Sequence, residues 1–222
     1  MAAAENYFAW QNRLVTPELG RRVVEVGCGI GNFTRFLLDR DAVYAVDLDA
    51  SCVERMRARY PDRANLHAHV CEPGSSTFAD LSGFRPDSCV CLNVLEHIED
   101  DLAALQSMSS VLTPGGVIVL LVPAFPGLYG PIDGNLRHHR RYTRNSILKL
   151  AAAANLRVRK LHYLNSVGFF GWWANARLAR RKEQSVLQIK IFDRFIVPLL
   201  SRAERWIHPP FGQSLFMVLQ KP

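Results

Sequence analysis

The sequence predicts an α/β protein built on a doubly wound, mostly parallel, seven-stranded Rossmann-like sheet. Strand-like and helix-like segments alternate along the first half of the chain. The strand-like segments are continuously apolar, which is typical of a parallel sheet covered by helices on both faces. The 222 residues, of which 49% are hydrophobic and 21% charged, suffice for one domain with a substantial core. We therefore expect residues 1–222 to form a single domain, with an N-terminal helix and a helical insertion before the last strand.

The predicted elements follow from hydrophobic periodicity and from breaks at glycine and proline. Strands are predicted at 23–27, 42–49, 64–70, 87–95, 117–123, 157–164 and 214–220. Helices are predicted at 32–40, 51–59, 100–112 and 143–154, with two more in the insertion at 168–183 and 186–206. Ser51 is expected to cap its helix, with Glu54 completing a capping box.

Charge and cysteine usage narrow the class of protein. The net charge is +7, and its densest runs, Arg137 to Arg144 and Arg177 to Lys182, lie in the second half. Such charge suits nucleic acid, anionic lipid or an acidic small substrate, and a solvated surface is the alternative. No CxxC pair or accompanying histidine pattern is present, so no metal site is predicted. The cysteines and the lack of a signal-like start predict reduced thiols in a cytoplasmic protein.

A glycine-rich turn follows the first strand. Gly27, Gly29 and Gly31 alternate along it, and glycines there let backbone N–H groups approach a ligand. The dinucleotide fingerprint requires a third glycine where Asn32 stands, which counts against a nicotinamide oxidoreductase. With Glu25 two residues before the first glycine, the pattern suits a ligand that presents carboxylate and ammonium groups rather than phosphates.

An acidic residue follows the second strand. Asp47 lies eighteen residues after Gly29, where a carboxylate can accept both hydroxyls of a ribose. Asp49 is a neighbouring candidate, although it points to the opposite side if the strand continues. The alternative is that these acids only cap the next helix.

Four segments together resemble class I S-adenosylmethionine-dependent methyltransferases. They are "VVEVGCGIGNF", "YAVDLDAS", "DSCVCLNVLEHIEDD" and "LTPGGVIVLLVPA", in the family's order, and they cover about residues 20–125. The resemblance implies that S-adenosyl-L-methionine is the cofactor, with Glu25 near its ammonium group, Asp47 on its ribose and Leu48 against its adenine. Cys71 or Glu72 stands where the family often has an acid facing the adenine amine. The predicted cofactor-binding residues are Glu25, Gly27, Cys28, Gly29, Gly31, Asp47, Leu48, Cys71, Asn93 and Leu95.

The segment 124–143 follows the fifth strand and is the predicted substrate loop. It lies at the carboxyl edge of the sheet and is long for a simple connection. It resembles a bacterial methyltransferase subgroup with the pattern glycine-histidine-x-arginine-arginine-tyrosine, in which Arg137 takes the place of the glycine. The predicted substrate-binding residues are Tyr129, Asp133, His138, His139, Arg140, Arg141, Tyr142 and Trp172.

Methyl transfer from a sulfonium needs proximity and alignment, and a protonated acceptor also needs a base. His138 is the first candidate base, His97 the second and His139 the third, against the alternative of hydrogen-bonded structural histidines. Tyr129 completes the predicted catalytic set. The adjacent Arg140 and Arg141 favour an acidic group on the acceptor, or else they form ion pairs with the acids at 99–101.

The insertion at 168–206 combines aromatic residues with interleaved arginines. It can form a lid, a membrane-facing surface or a homodimer face, or it can pack against the sheet. The predicted function is O- or N-methylation of a small, partly apolar and acidic acceptor by a cytoplasmic enzyme that is peripheral to the membrane if the insertion faces lipid. An RNA or lipid-associated methyltransferase and a non-catalytic cofactor-binding protein are the alternatives. Nucleic acid is disfavoured because no N/D-P-P-Y/F tetrad follows the fourth strand, where "NVLE" stands instead.

Overall fold

The computed structural model describes residues 4–179 and 185–222. Its seven strands form one sheet in the order β3-β2-β1-β4-β5-β7-β6. The first five are parallel, and β7 runs antiparallel to both β5 and β6. The strands are β1 Arg22–Val26, β2 Ala42–Asp47, β3 Leu66–Val70, β4 Ser88–Leu92, β5 Val117–Pro123, β6 Arg157–Leu164 and β7 Ser214–Gln220. The predicted fold class is confirmed.

Helices cover both faces of this sheet. The α-helices among the described residues are α1 Glu5–Val15, α2 Ala50–Arg59, α3 Ser76–Ala79, α4 Asp101–Val111, α5 Pro131–Asn135, α6 Arg144–Ala153, α7 Ser166–Ala174, α8 Val186–Ile191 and α9 Val197–Ala203. Short 3₁₀ turns are Thr16–Glu18, Thr34–Phe36, Asp80–Phe84, Leu95–His97 and Pro126–Leu128, and π-helical turns are Asn175–Ala179 and Phe192–Ile196. Since α8, the second π turn and α9 are continuous, residues 186–203 form one helical rod.

Two hydrophobic clusters lie on opposite faces of the sheet. Consecutive strand residues such as Val23 and Val24 point into different clusters, as the pleat requires. Cys89 and Cys91 share one face, as predicted for residues two apart on a strand, and all five cysteines are free thiols. The inner strands β1, β2, β4, β5 and β7 are buried on both faces, which explains their apolar sequences, whereas the edge strands β3 and β6 are part-exposed and more polar.

Two predictions from local patterning are wrong. The predicted helix at 32–40 is a 3₁₀ turn at Thr34–Phe36 between further turns. The spacing of Phe33, Phe36 and Leu37 fits a 3₁₀ turn as well as an α-helix. The buried Thr34 hydroxyl donates a hydrogen bond to the Glu25 carboxyl group, which stabilises the turn. The cap of α2 is Asp49 rather than Ser51, because β2 ends at Asp47 and the Asp49 carboxylate accepts a hydrogen bond from the Ser51 amide.

The insertion is helical where the structure describes it. The predicted helix at 168–183 corresponds to α7 and the π turn that follows, and its last residues, 180–184, lie outside the described part of the chain. Of the two adjacent tryptophans, Trp172 is buried and Trp173 is exposed. A search of the described residues finds no helix with the length and apolarity needed to cross a bilayer.

Candidate active site

The glycine turn after β1 has the backbone conformation that glycine favours. Gly27 and Gly29 have φ angles of +74° and +53°, and a Cβ on Gly27 would overlap the side chain of Val94. A Cβ on Gly29 would meet no atom within 4 Å, so this residue borders open space. Gly31 serves packing instead, since its Cβ would lie 2.7 Å from the ring of Tyr60. The turn therefore offers backbone, without side chains, to a ligand above Gly29.

Asp47 holds this turn in place. One oxygen of its carboxylate accepts a hydrogen bond from the Gly29 amide (2.8 Å), and the other accepts one from the Asp49 amide (3.0 Å). Asp47 is half-buried at the carboxyl end of β2. Because each carboxylate oxygen can accept more than one hydrogen bond, Asp47 can hold the turn and still accept from a ligand.

Glu25 is a buried carboxyl group beside the turn. It accepts a hydrogen bond of 2.6 Å from the Thr34 hydroxyl. Burial raises its pKa to about 8, an effect that the Thr34 hydrogen bond opposes and the charge of Asp47 reinforces. A carboxyl group in this state is poised to pair with a cationic ligand, which would compensate the cost of ionising it.

A cavity of about 210 Å³ opens between the carboxyl ends of β1 and β4. This is the point where the strand order reverses, at which open α/β sheets bind ligands. Of the predicted cofactor-binding residues, Glu25, Gly27, Cys28, Gly29 and Asn93 line it, and Asp47 and Gly31 do not. Helix α1 covers the cavity with three side chains that sequence patterns did not single out: Tyr7, Phe8 and Gln11. In the sequence, these three residues are marked only by the mixed polar and aromatic character of α1.

The other predicted cofactor-binding residues differ in how deeply they are buried. Cys28 lines the cavity, and burial raises the pKa of its thiol, which keeps it neutral. Leu48 is exposed beyond Asp47, and the amide of the buried Cys71 donates to the Asp47 carbonyl (3.1 Å). Leu95 is fully buried in a hydrophobic cluster and does not line the cavity. Of these, Cys28 alone borders the cavity.

The substrate loop is organised around a buried carboxylate. Asp133 is fully buried, and one of its oxygens accepts hydrogen bonds from Nδ1 of His138 (2.9 Å) and Nε of Arg141 (2.8 Å). Its other oxygen accepts from the Gly130 amide (3.0 Å) and from Nε1 of Trp172 (3.3 Å). Burial alone would raise the pKa of Asp133, but these hydrogen bonds and the Arg141 charge hold it below its usual value.

Arg141 and Trp172 complete this interior network. The Arg141 guanidinium lies 4.7 Å from the Trp172 ring centre and also donates to the Ala124 carbonyl (2.9 Å). Both side chains are buried, and so is Tyr142, whose hydroxyl donates to Asp101 (2.9 Å). These predicted substrate residues therefore contact the protein itself and set the shape of the loop.

Two histidines meet where this loop touches the end of β4. The rings of His97 and His138 are edge-to-face with centres 4.6 Å apart. Desolvation and the neighbouring His138 lower the pKa of His97. The adjacent Glu96 is buried, which raises its pKa to about 8, and its Oε2 has no hydrogen-bond partner among the described residues. Ligand atoms of these three residues lie within 4.8 Å of one another, a spacing that can hold a metal ion.

The remaining loop residues face outward. The exposed Tyr129 donates its hydroxyl to the His138 carbonyl (2.8 Å), and the exposed His139 donates its amide to the Glu96 carbonyl (2.8 Å). Arg140 forms an ion pair of 2.8 Å with Asp101, one of the two alternatives that the sequence left open. Arg137 has a φ of +57°, so it adopts the left-handed conformation that the subgroup pattern assigns to glycine.

Comparison with known proteins identifies the family. The family described as "Methyltransferase domain" matches residues 2–161, which is well over half of the chain. A relative from Mycolicibacterium smegmatis, named "Probable S-adenosylmethionine-dependent methyltransferase", is 28% identical over 199 residues, 85% of this chain and 72% of that protein. The ubiquinone biosynthesis O-methyltransferase of Idiomarina loihiensis is 27% identical over 151 residues, 62% of each chain. The chain spans about half the length of three mycobacterial methyltransferases that it also matches.

A solved structure shares the fold. The geranyl diphosphate C-methyltransferase of Streptomyces coelicolor, in complex with Mg²⁺, geranyl diphosphate and S-adenosyl-L-homocysteine, superposes with a TM-score of 0.67. The superposition covers 96% of this chain and 80% of that chain at 15% sequence identity. The residues around the cavity fit S-adenosylmethionine. Open space borders Gly29, and the buried Glu25 lines the same cavity, where a cationic group would favour its ionised form. The chain belongs to the methyltransferase-domain family, and it is an S-adenosylmethionine-dependent methyltransferase.

Proposed function

We propose that this enzyme methylates an oxygen or nitrogen atom of a small, partly apolar acceptor that carries an acidic group. The observation that carries the proposal is the pairing of His138 with the buried Asp133 at the carboxyl edge of the sheet. Residues 20–125 form the cofactor core, 124–143 the acceptor loop and 168–206 an insertion, all within one domain.

The cofactor side of the proposal assigns roles to residues around the cavity. Glu25 pairs with the ammonium group, Asp47 accepts from the ribose hydroxyls, and Leu48 lies against the adenine. The turn Gly27–Cys28–Gly29 and the residue Asn93 contact the methionine part, while Gly31, Cys71 and Leu95 position the segments around them. When bound, S-adenosylmethionine supplies a methyl group that is already activated by its positive sulfur.

His138 removes the acceptor proton in this proposal. Asp133 accepts a hydrogen bond from Nδ1 of His138, which fixes the tautomer and leaves Nε2 as the proton acceptor. The acceptor atom forms its bond to the methyl carbon as the carbon–sulfur bond breaks, and its proton passes to Nε2. His97 and Tyr129 lie around this histidine and orient the acceptor.

The acceptor's other groups meet the outward-facing part of the loop. Arg141 is buried with Asp133, whereas Arg140 is part-exposed although it pairs with Asp101, and His139 and Tyr129 are exposed. These three residues are the ones that an acidic group can reach. Beneath the loop lies a small hydrophobic cluster of Leu128, Ile132 and Trp172. Two of the similar proteins support an apolar acceptor. One is named for ubiquinone biosynthesis, and the other is named for the methylation of geranyl diphosphate.

Replacement of the base tests the proposal. We expect His138→Gln to lower turnover by about a hundredfold or more while the cofactor dissociation constant stays unchanged. Release of S-adenosylhomocysteine, measured against a panel of small phenols, amines and carboxylic acids, gives the turnover. His67→Gln is the matched control, because His67 is exposed on β3, outside the acceptor loop and the cavity. Full turnover in His138→Gln would overturn the base assignment.

A bound metal ion is a second route to the same proton removal. The unpartnered Oε2 of Glu96 and its closeness to His97 and His138 favour it. Asp133 would then orient His138 as a metal ligand, a common arrangement in metal sites. A chelator distinguishes the two routes. Turnover that survives chelation supports the base, whereas turnover lost to chelation and restored by a divalent cation assigns these three residues to a metal.

A further inference from the structure

The helical rod at 186–203 is apolar on two opposite faces. One face packs into the core through Val197 and Leu200, beside α1. The other carries Leu187, Ile191, Phe195 and Leu199, which recur every fourth residue and are 50–66% exposed. Trp206 and Ile207 extend this stripe just after the rod, with Trp206 81% exposed. We call these six residues the docking surface.

The exposed charged residues within 185–207 all carry positive charge. Lys190, Arg194, Arg202 and Arg205 are exposed, and none of them forms an ion pair with any residue that the structure describes. Three of the four directly precede a residue of the docking surface, so cations and large apolar side chains run as adjacent stripes.

The two acids of residues 185–207 are turned inward. Asp193 accepts hydrogen bonds from the amides of Asn6 (3.1 Å) and Tyr7 (2.8 Å), which caps the first turn of α1. Glu204 accepts from the amides of Asn165 and Ser166, both at 2.9 Å, which ties the end of α9 to the start of α7. The outer face of this region therefore presents cations and apolar groups without acidic groups between them.

We propose that the docking surface binds an anionic lipid bilayer. The apolar stripe enters the boundary between headgroups and acyl chains, and the four cations meet lipid phosphates. An exposed tryptophan at the border of such a stripe is typical of segments that lie in the membrane interface. A symmetric dimer would instead bring these like charges against their own copies, which disfavours a second chain as the occupant.

The docking surface also connects to the cofactor cavity. Asp193 lies on the rod and caps α1, and α1 supplies Tyr7, Phe8 and Gln11 to the cavity wall. A protein docked by this surface therefore holds the cavity close to the bilayer. The consequence that an apolar acceptor enters from the lipid rests on the proposed function, whereas the docking does not.

Vesicle flotation of the full chain tests the docking. We expect the protein to float with vesicles made of equal parts phosphatidylcholine and phosphatidylglycerol, less so at high salt, and not with phosphatidylcholine alone. The double variant Phe195→Ser and Leu199→Ser should bind the anionic vesicles about a hundredfold more weakly, because two apolar side chains lose their burial. Leu148→Ser, on the exposed face of α6, is the matched control and should bind as the unaltered protein does.

Three outcomes would overturn the proposal. The unaltered protein does not float with anionic vesicles, or the double variant binds them as tightly as the Leu148→Ser control. The third is that the unaltered protein is a dimer by analytical ultracentrifugation and the double variant is a monomer, while neither protein binds vesicles. Thermal melting of each variant shows that the fold is retained, and cofactor affinity, which should not change, separates this test from that of the proposed function.

Discussion

The proposed cofactor site and the proposed acceptor side of this enzyme are built in different ways. At the glycine turn, Asp47 holds the Gly29 amide and Glu25 holds Thr34, so the partners lie eighteen and nine residues apart along the chain. On the acceptor side, Asp133 accepts hydrogen bonds from His138 and Arg141, five and eight residues away, and from Trp172 of α7, thirty-nine residues away. The first region is a backbone turn that separate carboxyl groups hold from outside, and the second is a loop whose side chains converge on one buried carboxylate.

This difference predicts different responses to substitution. Polar changes at the glycine turn should alter cofactor affinity, whereas changes around Asp133 should alter the stability of the acceptor loop as well as turnover. The docking surface should tolerate polar substitutions, because each of its six residues is at least half exposed.

The largest effect is expected at the buried carboxylate. Asp133→Asn leaves the Arg141 guanidinium in the interior without its counter-ion, which should lower the free energy of unfolding by about 3 kcal/mol. Chemical denaturation measures this loss. Asp41→Asn removes the surface ion pair with Arg21 and is the matched control, expected to cause no measurable change. Equal stability of the two variants would show that the Asp133 network does not organise the loop.

The next effect is a proton released on cofactor binding. Glu25 has a pKa of about 8 without the cofactor, so it is largely protonated at neutral pH. Pairing with the cofactor's ammonium group favours the carboxylate, so binding should release up to one proton. Cofactor affinity should therefore rise with pH up to about 8 and then level off.

Calorimetry in two buffers of different ionisation enthalpy counts the released proton. Glu25→Gln should release none, and its affinity should lack the rise with pH. Release of a full proton by Glu25→Gln would assign the titrating group to another residue.

The smallest effect is expected at Arg137. A left-handed backbone costs a residue with a Cβ about 1–2 kcal/mol of folding free energy, and glycine avoids this cost. Glycine also loses more backbone entropy on folding, which offsets part of the gain. Arg137→Gly should thus raise the free energy of unfolding by up to about 1 kcal/mol and leave turnover unchanged. Arg85→Gly, at a similar φ of +52° outside the site, should behave in the same way. A loss of turnover in Arg137→Gly alone would mean that the arginine side chain contacts the acceptor.

The sheet and the glycine turn could be predicted from sequence because their signals are local. Continuously apolar strands and the alternation of Gly27 and Gly29 are visible within a few residues, and Asp47 follows at the end of the next strand. Local signals also produced the errors, since the spacing of Phe33, Phe36 and Leu37 fits a 3₁₀ turn as well as a helix.

The contacts that the sequence did not reveal join distant segments. The covering of the cavity by α1, the capping of α1 by Asp193 and the meeting of His97 with His138 all depend on tertiary packing. The orphaned oxygen of Glu96 is likewise visible only once its burial is known. A single sequence carries no short-range pattern for such contacts.

The turn held by Asp47 is the proposed binding site of the cofactor. Calorimetric titration of Asp47→Ala with S-adenosylmethionine tests it most directly, with Asp49→Ala as the control that loses only a helix cap. We predict that Asp47→Ala weakens binding by about a hundredfold, since it removes the support of the turn and the acceptor for the ribose, while Asp49→Ala binds normally. Unchanged affinity in Asp47→Ala would contradict the account.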